Sequence, residues 1–125
     1  MVRLDIDVGA LVTLRFQHPY APDDERAYLD ALQSIGHIEE PFVLLTIFGG
    51  GPGLSQAGER EQALWFKATR ARLDARCRAM AIVRPGASDT MAAVFRKLWS
   101  FPIIATEDEA EGRAFIAKAQ AGEIP

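Results

Sequence analysis

Residues 42–48, Phe-Val-Leu-Leu-Thr-Ile-Phe, are apolar at every position but Thr46, and they run directly into Gly49-Gly-Gly-Pro-Gly-Leu-Ser-Gln-Ala-Gly58. A strand this uniformly apolar has to be covered on both faces, which places it in the middle of a sheet flanked by helices. The glycines then supply a turn, and Ser55 is a natural N-cap for a following helix. Strand, glycine turn and helix start together form the unit of an α/β sheet. Such sheets keep their sites at the carboxyl ends of the strands, where helix N-terminal N–H groups can meet an anion.

The rest of the chain extends this pattern. Val2, Leu4 and Ile6 alternate with Arg3, Asp5 and Asp7, the period of a strand with one buried face. Gly9 interrupts, and residues 11–16 resume as a second strand, so the two form a hairpin. Pro22 suits a first helical turn, and Asp23, Asp24 and Glu25 favour the positive end of a helix dipole. That helix is expected to reach Ile35, with Tyr28, Ala31, Leu32 and Ile35 on its buried face and Gly36 ending it.

After the glycine turn a helix is expected from about Ala57 to Ala75. Its apolar stripe reads Leu64, Ala68, Ala71 and Ala75, with Arg60, Lys67, Arg70 and Arg72 facing solvent or the rim. Residues 79–83 form a short strand, and Arg84-Pro-Gly86 turns into a helix around Thr90 to Trp99. A last strand over 101–105 precedes an acidic helix start at Glu107-Asp-Glu-Ala-Glu111, with Phe115, Ile116 and Ala119 as the packing face. The order β-β-α-β-α-β-α-β-α predicts a mixed, mostly parallel sheet of about five strands with about four helices and right-handed crossovers.

A chain of 125 residues buries one core, so residues 1–125 are expected to be a single domain. Hydrophobic residues at 49% and charged residues at 25% are globular composition. No apolar run approaches the ~20 residues of a membrane helix. The alternating N-terminus lacks the apolar block of a signal peptide, so a cytoplasmic location is expected. Net charge is −3, but it is segregated: −5 over residues 1–58, +5 over 59–106 and −3 over 107–125. The basic middle could steer an anionic partner or simply supply solvated helix faces. With an acidic total, nucleic acid is not expected.

Several residue groups invite a chemical reading. Gly49, Gly50, Gly51, Gly53 and Ser55 are the candidate ligand- or partner-binding loop. They match neither the dinucleotide fingerprint nor a P-loop, since Leu54 stands where a third glycine would fall and no Gly-Lys-Ser/Thr ending follows. The alternative is a βα connection without a ligand. Phosphorylation of Ser55 would add roughly −1.5 to −2 charges at a helix N-terminus and gate docking. Trp65, Phe66, Phe95 and Trp99 are the candidate wall of a pocket, because adjacent helix residues such as Trp65 and Phe66 point about 100° apart. Burial between the sheet and a neighbouring helix is the alternative.

His18 and His37 lie beside turns without a second ligand at helical spacing, so no metal is expected. Cys77 is the only cysteine and lies between Arg76 and Arg78. Those charges could activate it, but no histidine marks itself as its base, and a structural thiol is the simpler reading. The two acidic clusters are helix N-terminal charges. No nucleophile, base and oxyanion donor can be named together, so neither catalysis nor a cofactor is expected.

The segments Arg78-Ala-Met-Ala-Ile-Val83, Phe95-Arg-Lys-Leu98, Pro102-Ile-Ile and Asp108-Glu-Ala-Glu-Gly-Arg-Ala-Phe-Ile116 have the order of a closing strand-helix-strand-helix. In these the chain resembles the sporulation anti-sigma-factor antagonist-like family, related to STAS domains and more distantly to CRAL-TRIO lipid-binding domains. The chain departs from the family at Gly112, at Phe115 where Trp is frequent, and at Ser55, which has no preceding Asp. Gly112 is expected to cost about 1 kcal/mol against Ala in an exposed helix interior. The resemblance implies a STAS-like regulatory or protein-interaction module, a homodimer or the docking site of a regulatory protein. Its alternative is a carrier for an apolar or lipid-like ligand.

Overall fold

The computed structural model describes residues 1–7 and 10–123, so the turn expected at Gly9 lies outside the described residues. Five strands and four helices follow in the expected order: β1 (Val2–Asp7), β2 (Leu11–Phe16), α1 (Asp24–Gly36), β3 (Phe42–Phe48), α2 (Gln56–Arg76), β4 (Cys77–Val83), α3 (Asp89–Arg96), β5 (Ile103–Thr106) and α4 (Glu109–Gln120). The fold is α/β with a mixed, mostly parallel sheet. β1 and β2 pair antiparallel, Val2 opposite Phe16, and β2 through β5 pair in parallel.

Strand order in the sheet equals strand order in the chain, β1-β2-β3-β4-β5. When right-handed crossovers always step the same way across a sheet, their helices must all lie on one face. One core cluster accordingly joins Val12 and Leu14 of β2, Leu44 of β3 and Met80 and Ile82 of β4 to side chains of α1 and α2 and to Trp99 and Phe101. The other face holds Val43, Leu45, Ile47, Ala79, Ala81 and Val83, and Ile116 of α4 covers it. Among the described residues, α4 therefore covers the face that the crossovers leave open. β3 is buried through Ile47, as a central strand should be.

Two local expectations are corrected, on α2 and at Gly112. On α2 the buried residues are Gly58, Trp65 and Leu73, while Leu64, Ala68, Ala71 and Ala75 are exposed, Leu64 at 61%. The helix is turned by about one residue, 100°, from the aliphatic stripe. Two polar side chains on the inward face made that face look wrong in the sequence, yet both are satisfied: Gln62 accepts from Tyr28 Oη at 2.5 Å and Thr69 Oγ1 donates to the Trp65 carbonyl at 2.7 Å.

Gly36 is the last residue of α1, as expected, but its role there is close packing rather than a left-handed turn. It is a buried helical residue where α1 meets α2, and a Cβ there would stand 2.9 Å from Trp65 Nε1. Gly112 is likewise buried rather than exposed. A Cβ on it would lie 2.7 Å from Val83 Cγ2, so the missing side chain lets α4 rest on β3 and β4. The buried face of α1 is as expected, with Tyr28, Ala31, Leu32 and Ile35 inside.

Candidate functional site

The glycine segment leaves the carboxyl end of β3 and lies against the Tyr20 ring. A Cβ at Gly51 would stand 2.1 Å from Tyr20 Cζ, so a side chain at that position would have to displace the ring. Gly50 has a φ of 75°, the left-handed region that glycine enters without strain. The loop then reaches Ser55, whose Oγ accepts from Gly58 N at 3.0 Å and caps α2 as the sequence suggested.

The α2 N-terminus already holds an anion from the chain itself. The Glu25 carboxylate accepts from Ser55 N at 2.5 Å and from Ser55 Oγ at 2.8 Å. The acidic cluster at the start of α1 thus does more than favour its own helix dipole, because one member latches α1 to the start of α2. A phosphate on Ser55 would bring a second anion against Glu25 and oppose this latch.

Two adjoining cavities open beside the loop, at the carboxyl ends of β2, β3 and β4. The outer, of about 260 Å³, is lined by Gly50, Gly51, Pro52, Gly53 and Leu54 together with Phe16, Tyr20, Tyr28, Phe48, Glu59, Gln62 and Arg84. The inner, of about 170 Å³, runs under α1 and α2 and is walled by Trp65, Phe66, Phe95 and Trp99, with Leu32, Leu44, Met80 and Ile82 at its base. Tyr28, Phe48, Gln62 and Arg84 line both and mark their junction. Of the candidate loop residues, Gly49 lies on the other side of Arg84, and Ser55 lies outside both cavities.

The four aromatic side chains come together in one cluster. Trp65 meets Phe66 edge-on at 5.2 Å between centroids, Phe66 meets Trp99 at 5.6 Å, and Phe95 stacks on Trp99 at 6.4 Å. Trp65 and Trp99 are buried, and all four side chains line the inner cavity. Polar bonds fix the cluster from behind. Trp99 Nε1 donates to the Arg70 carbonyl at 3.2 Å, Arg70 Nε donates to the Leu98 carbonyl at 2.9 Å, and Asp74 accepts from Ser100 N at 2.7 Å. Those two Ser100 donors, backbone N–H and hydroxyl, hold the Asp74 carboxyl below its usual range.

The polar groups at the junction are few. Burial pushes the Tyr28 phenol up to about 12, against a smaller opposing pull from the Arg84 charge, so it stays a neutral donor to Gln62. Arg84 follows β4 directly and is exposed. Its backbone N–H donates to the Thr106 carbonyl at 3.0 Å, and among the described residues its guanidinium forms no ion pair. Tyr20 Oη is buried beside the loop without a hydrogen-bond partner among the described residues.

Cys77 begins β4, buried, and its thiol is pushed up to about 12 chiefly by that burial. It is a structural thiol, not an activated one. No group of three or more metal-ligating side chains converges among the described residues. No helix among them is long and apolar enough to cross a membrane.

The sequence reading missed Tyr20, Tyr28, Gln62 and Arg84 as cavity residues. Arg84 had a usable signal, a charged residue placed immediately after a buried strand at the sheet's carboxyl edge. Tyr28 and Gln62 had none, since they belong to different helices and meet only through the α1–α2 packing. In comparisons with known proteins, no family model, no curated protein and no solved structure matches the chain.

Proposed function

We propose that this domain is a non-catalytic binding module whose cleft takes the apolar body of a small ligand, as a carrier or a ligand-responsive regulatory module would. The observation that carries this reading is the inner cavity, where rings from α2 and from the region of α3 surround space beside the sheet instead of filling it. Its volume, about 170 Å³, exceeds the ~150 Å³ of apolar cavities that accept a benzene ring. With the outer cavity it falls within the range of small-molecule sites. Membership of the antagonist-like, STAS-related family belongs to this proposal, supported by the element order and the closing segments quoted above.

The chain has two tryptophans, Trp65 and Trp99, and both stand on the cavity wall. Octanol is expected to change their fluorescence saturably, and Leu32→Phe, which narrows the cavity, to weaken that response while circular dichroism stays native. Native mass spectrometry of protein purified from cells should show a small-molecule adduct. No saturable octanol response together with no adduct would end the reading.

A second reading, docking of a protein partner or a second copy, is favoured by the outward stripe of α2. Leu64, Ala68, Ala71 and Ala75 are exposed there beside Lys67 and Arg72. Leu64→Glu is expected to abolish self-association in sedimentation measurements, and Ser55→Asp to weaken it through repulsion with Glu25. A monomeric wild-type protein with no partner sensitive to either change would remove this reading.

A further inference from the structure

We infer that the ligand of the cleft is an amphipathic carboxylate, its apolar part in the inner cavity and its head group on Arg84 at the junction. This rests on the reading of the cleft as a ligand site and adds the chemistry of the head.

The argument starts from an imbalance of charge. Arg84 is the cation on the walls of both cavities. The acids around it are turned to other uses. Glu107 accepts from Gly86 N at 2.6 Å, and Glu109 is held by Arg15 at 3.0 Å and by Arg113 at 2.9 Å. Glu59 lines the outer cavity alone, and no ion pair joins it to Arg84. Among the described residues, a guanidinium without a counter-ion therefore stands where the two cavities meet.

A second donor lies at the same junction. Because Gln62 Oε1 accepts from Tyr28 Oη, the side-chain amide presents its Nε2 donors elsewhere, and Gln62 lines both cavities. A planar carboxylate matches the two-pronged guanidinium and leaves a lone pair for the amide. A dianion such as phosphate suits the site less well, since Glu59 on the outer wall repels the additional charge. The tail is limited to about one aromatic ring or a chain of similar bulk in the inner cavity, on the scale of cavities that take benzene.

The test compares octanoate, octanol and octyl phosphate by tryptophan fluorescence and calorimetry, with wild-type protein and with Arg84→Gln and Arg84→Lys. Arg84 is exposed, so both variants should fold, and thermal unfolding checks that they do. Octanoate is expected to bind about tenfold or more tighter than octanol, the scale of a charge-assisted hydrogen bond, and octyl phosphate no tighter than octanoate. Arg84→Gln should bring octanoate down to the octanol level without changing octanol, and Arg84→Lys should recover part of the difference. If octanol and octanoate bind alike, or Arg84→Gln leaves their ratio unchanged, the carboxylate inference fails while the apolar cleft stands. Tighter binding of octyl phosphate overturns the carboxylate assignment, and binding of none of the three, together with no adduct in native mass spectrometry, overturns both readings.

Discussion

The two faces of the sheet are built from alternate residues of the same strands and pack in opposite ways. On β4, Ala79, Ala81 and Val83 point one way while Met80 and Ile82 point the other. Small side chains on the first face, opposite Gly112, let α4 come down until only a hydrogen atom fits between helix and strand. Large rings on the second face hold α2 and the region of α3 away from the sheet, and the inner cavity lies among them. Close packing needs surfaces that interdigitate, and stiff aromatic rings with few rotamers leave gaps that Ala, Val and Gly do not. The α4 face is thus tightly packed at Gly112, and the face covered by three crossover helices carries the cleft.

Truncations on the two faces should show this contrast most strongly. Leu45→Ala, from a fully buried position under α4, is expected to cost about 3 kcal/mol or more in urea unfolding, because tight surroundings cannot collapse into the gap. Phe95→Ala, from the half-buried cavity wall, should cost about 1–2 kcal/mol, since one side of the ring already faces open space. Equal costs would break the comparison.

A smaller effect with an informative sign is expected at Gly112. Helix propensity alone would make Gly112→Ala stabilising by about 1 kcal/mol. The 2.7 Å approach to Val83 Cγ2 opposes this with an overpacking penalty of about 1–3 kcal/mol, so the variant should be less stable than wild type in the same unfolding measurement. A more stable variant would mean that α4 sits further from the sheet.

The smallest effect concerns the ion pairs that fasten α4. Hydrogen bonds from Arg15 on β2 and from Arg113 hold the Glu109 carboxyl down at about 2, against an ordinary value of 4.5. A carboxyl depressed in the folded state stabilises above its unfolded value, and that contribution disappears as pH falls from 4.5 toward 2. Glu109→Gln should therefore lower stability at neutral pH by up to about 1 kcal/mol, as expected for a partly exposed pair, and converge with wild type near pH 2. A constant difference across that range would assign the effect to packing of the side chain instead.

Most of the element order was legible in the sequence because strands and caps are local. Alternation marked β1, continuous apolarity marked β3, and Ser55 marked the start of α2, where it does cap the helix. The errors share a physical cause. Leu64, Ala68, Ala71 and Ala75 form a better aliphatic stripe than the residues that are buried, but Trp65 and Leu73 bring more contact area. Gln62 and Thr69 can turn inward only because Tyr28 and the helix backbone satisfy them. No window of sequence contains that information, since Tyr28 and Gln62 lie 34 positions apart.

The same division applies to the site. The sequence by itself determined that a glycine turn follows a central strand and that aromatic residues gather in the second and third helical regions, because chain flexibility and hydrophobic period are properties of neighbouring residues. Tertiary structure decided which of them share a cavity. It filled the α2 N-terminus with Glu25, placed Gly49 on a separate cavity beside Arg84 and Ser55 outside both cavities of the cleft, and added Tyr28, Gln62 and Arg84 to them. Only the stacking order of the strands decides which helix faces which ring, and the Arg84 guanidinium stands at the cleft because β4 ends beside β3 there.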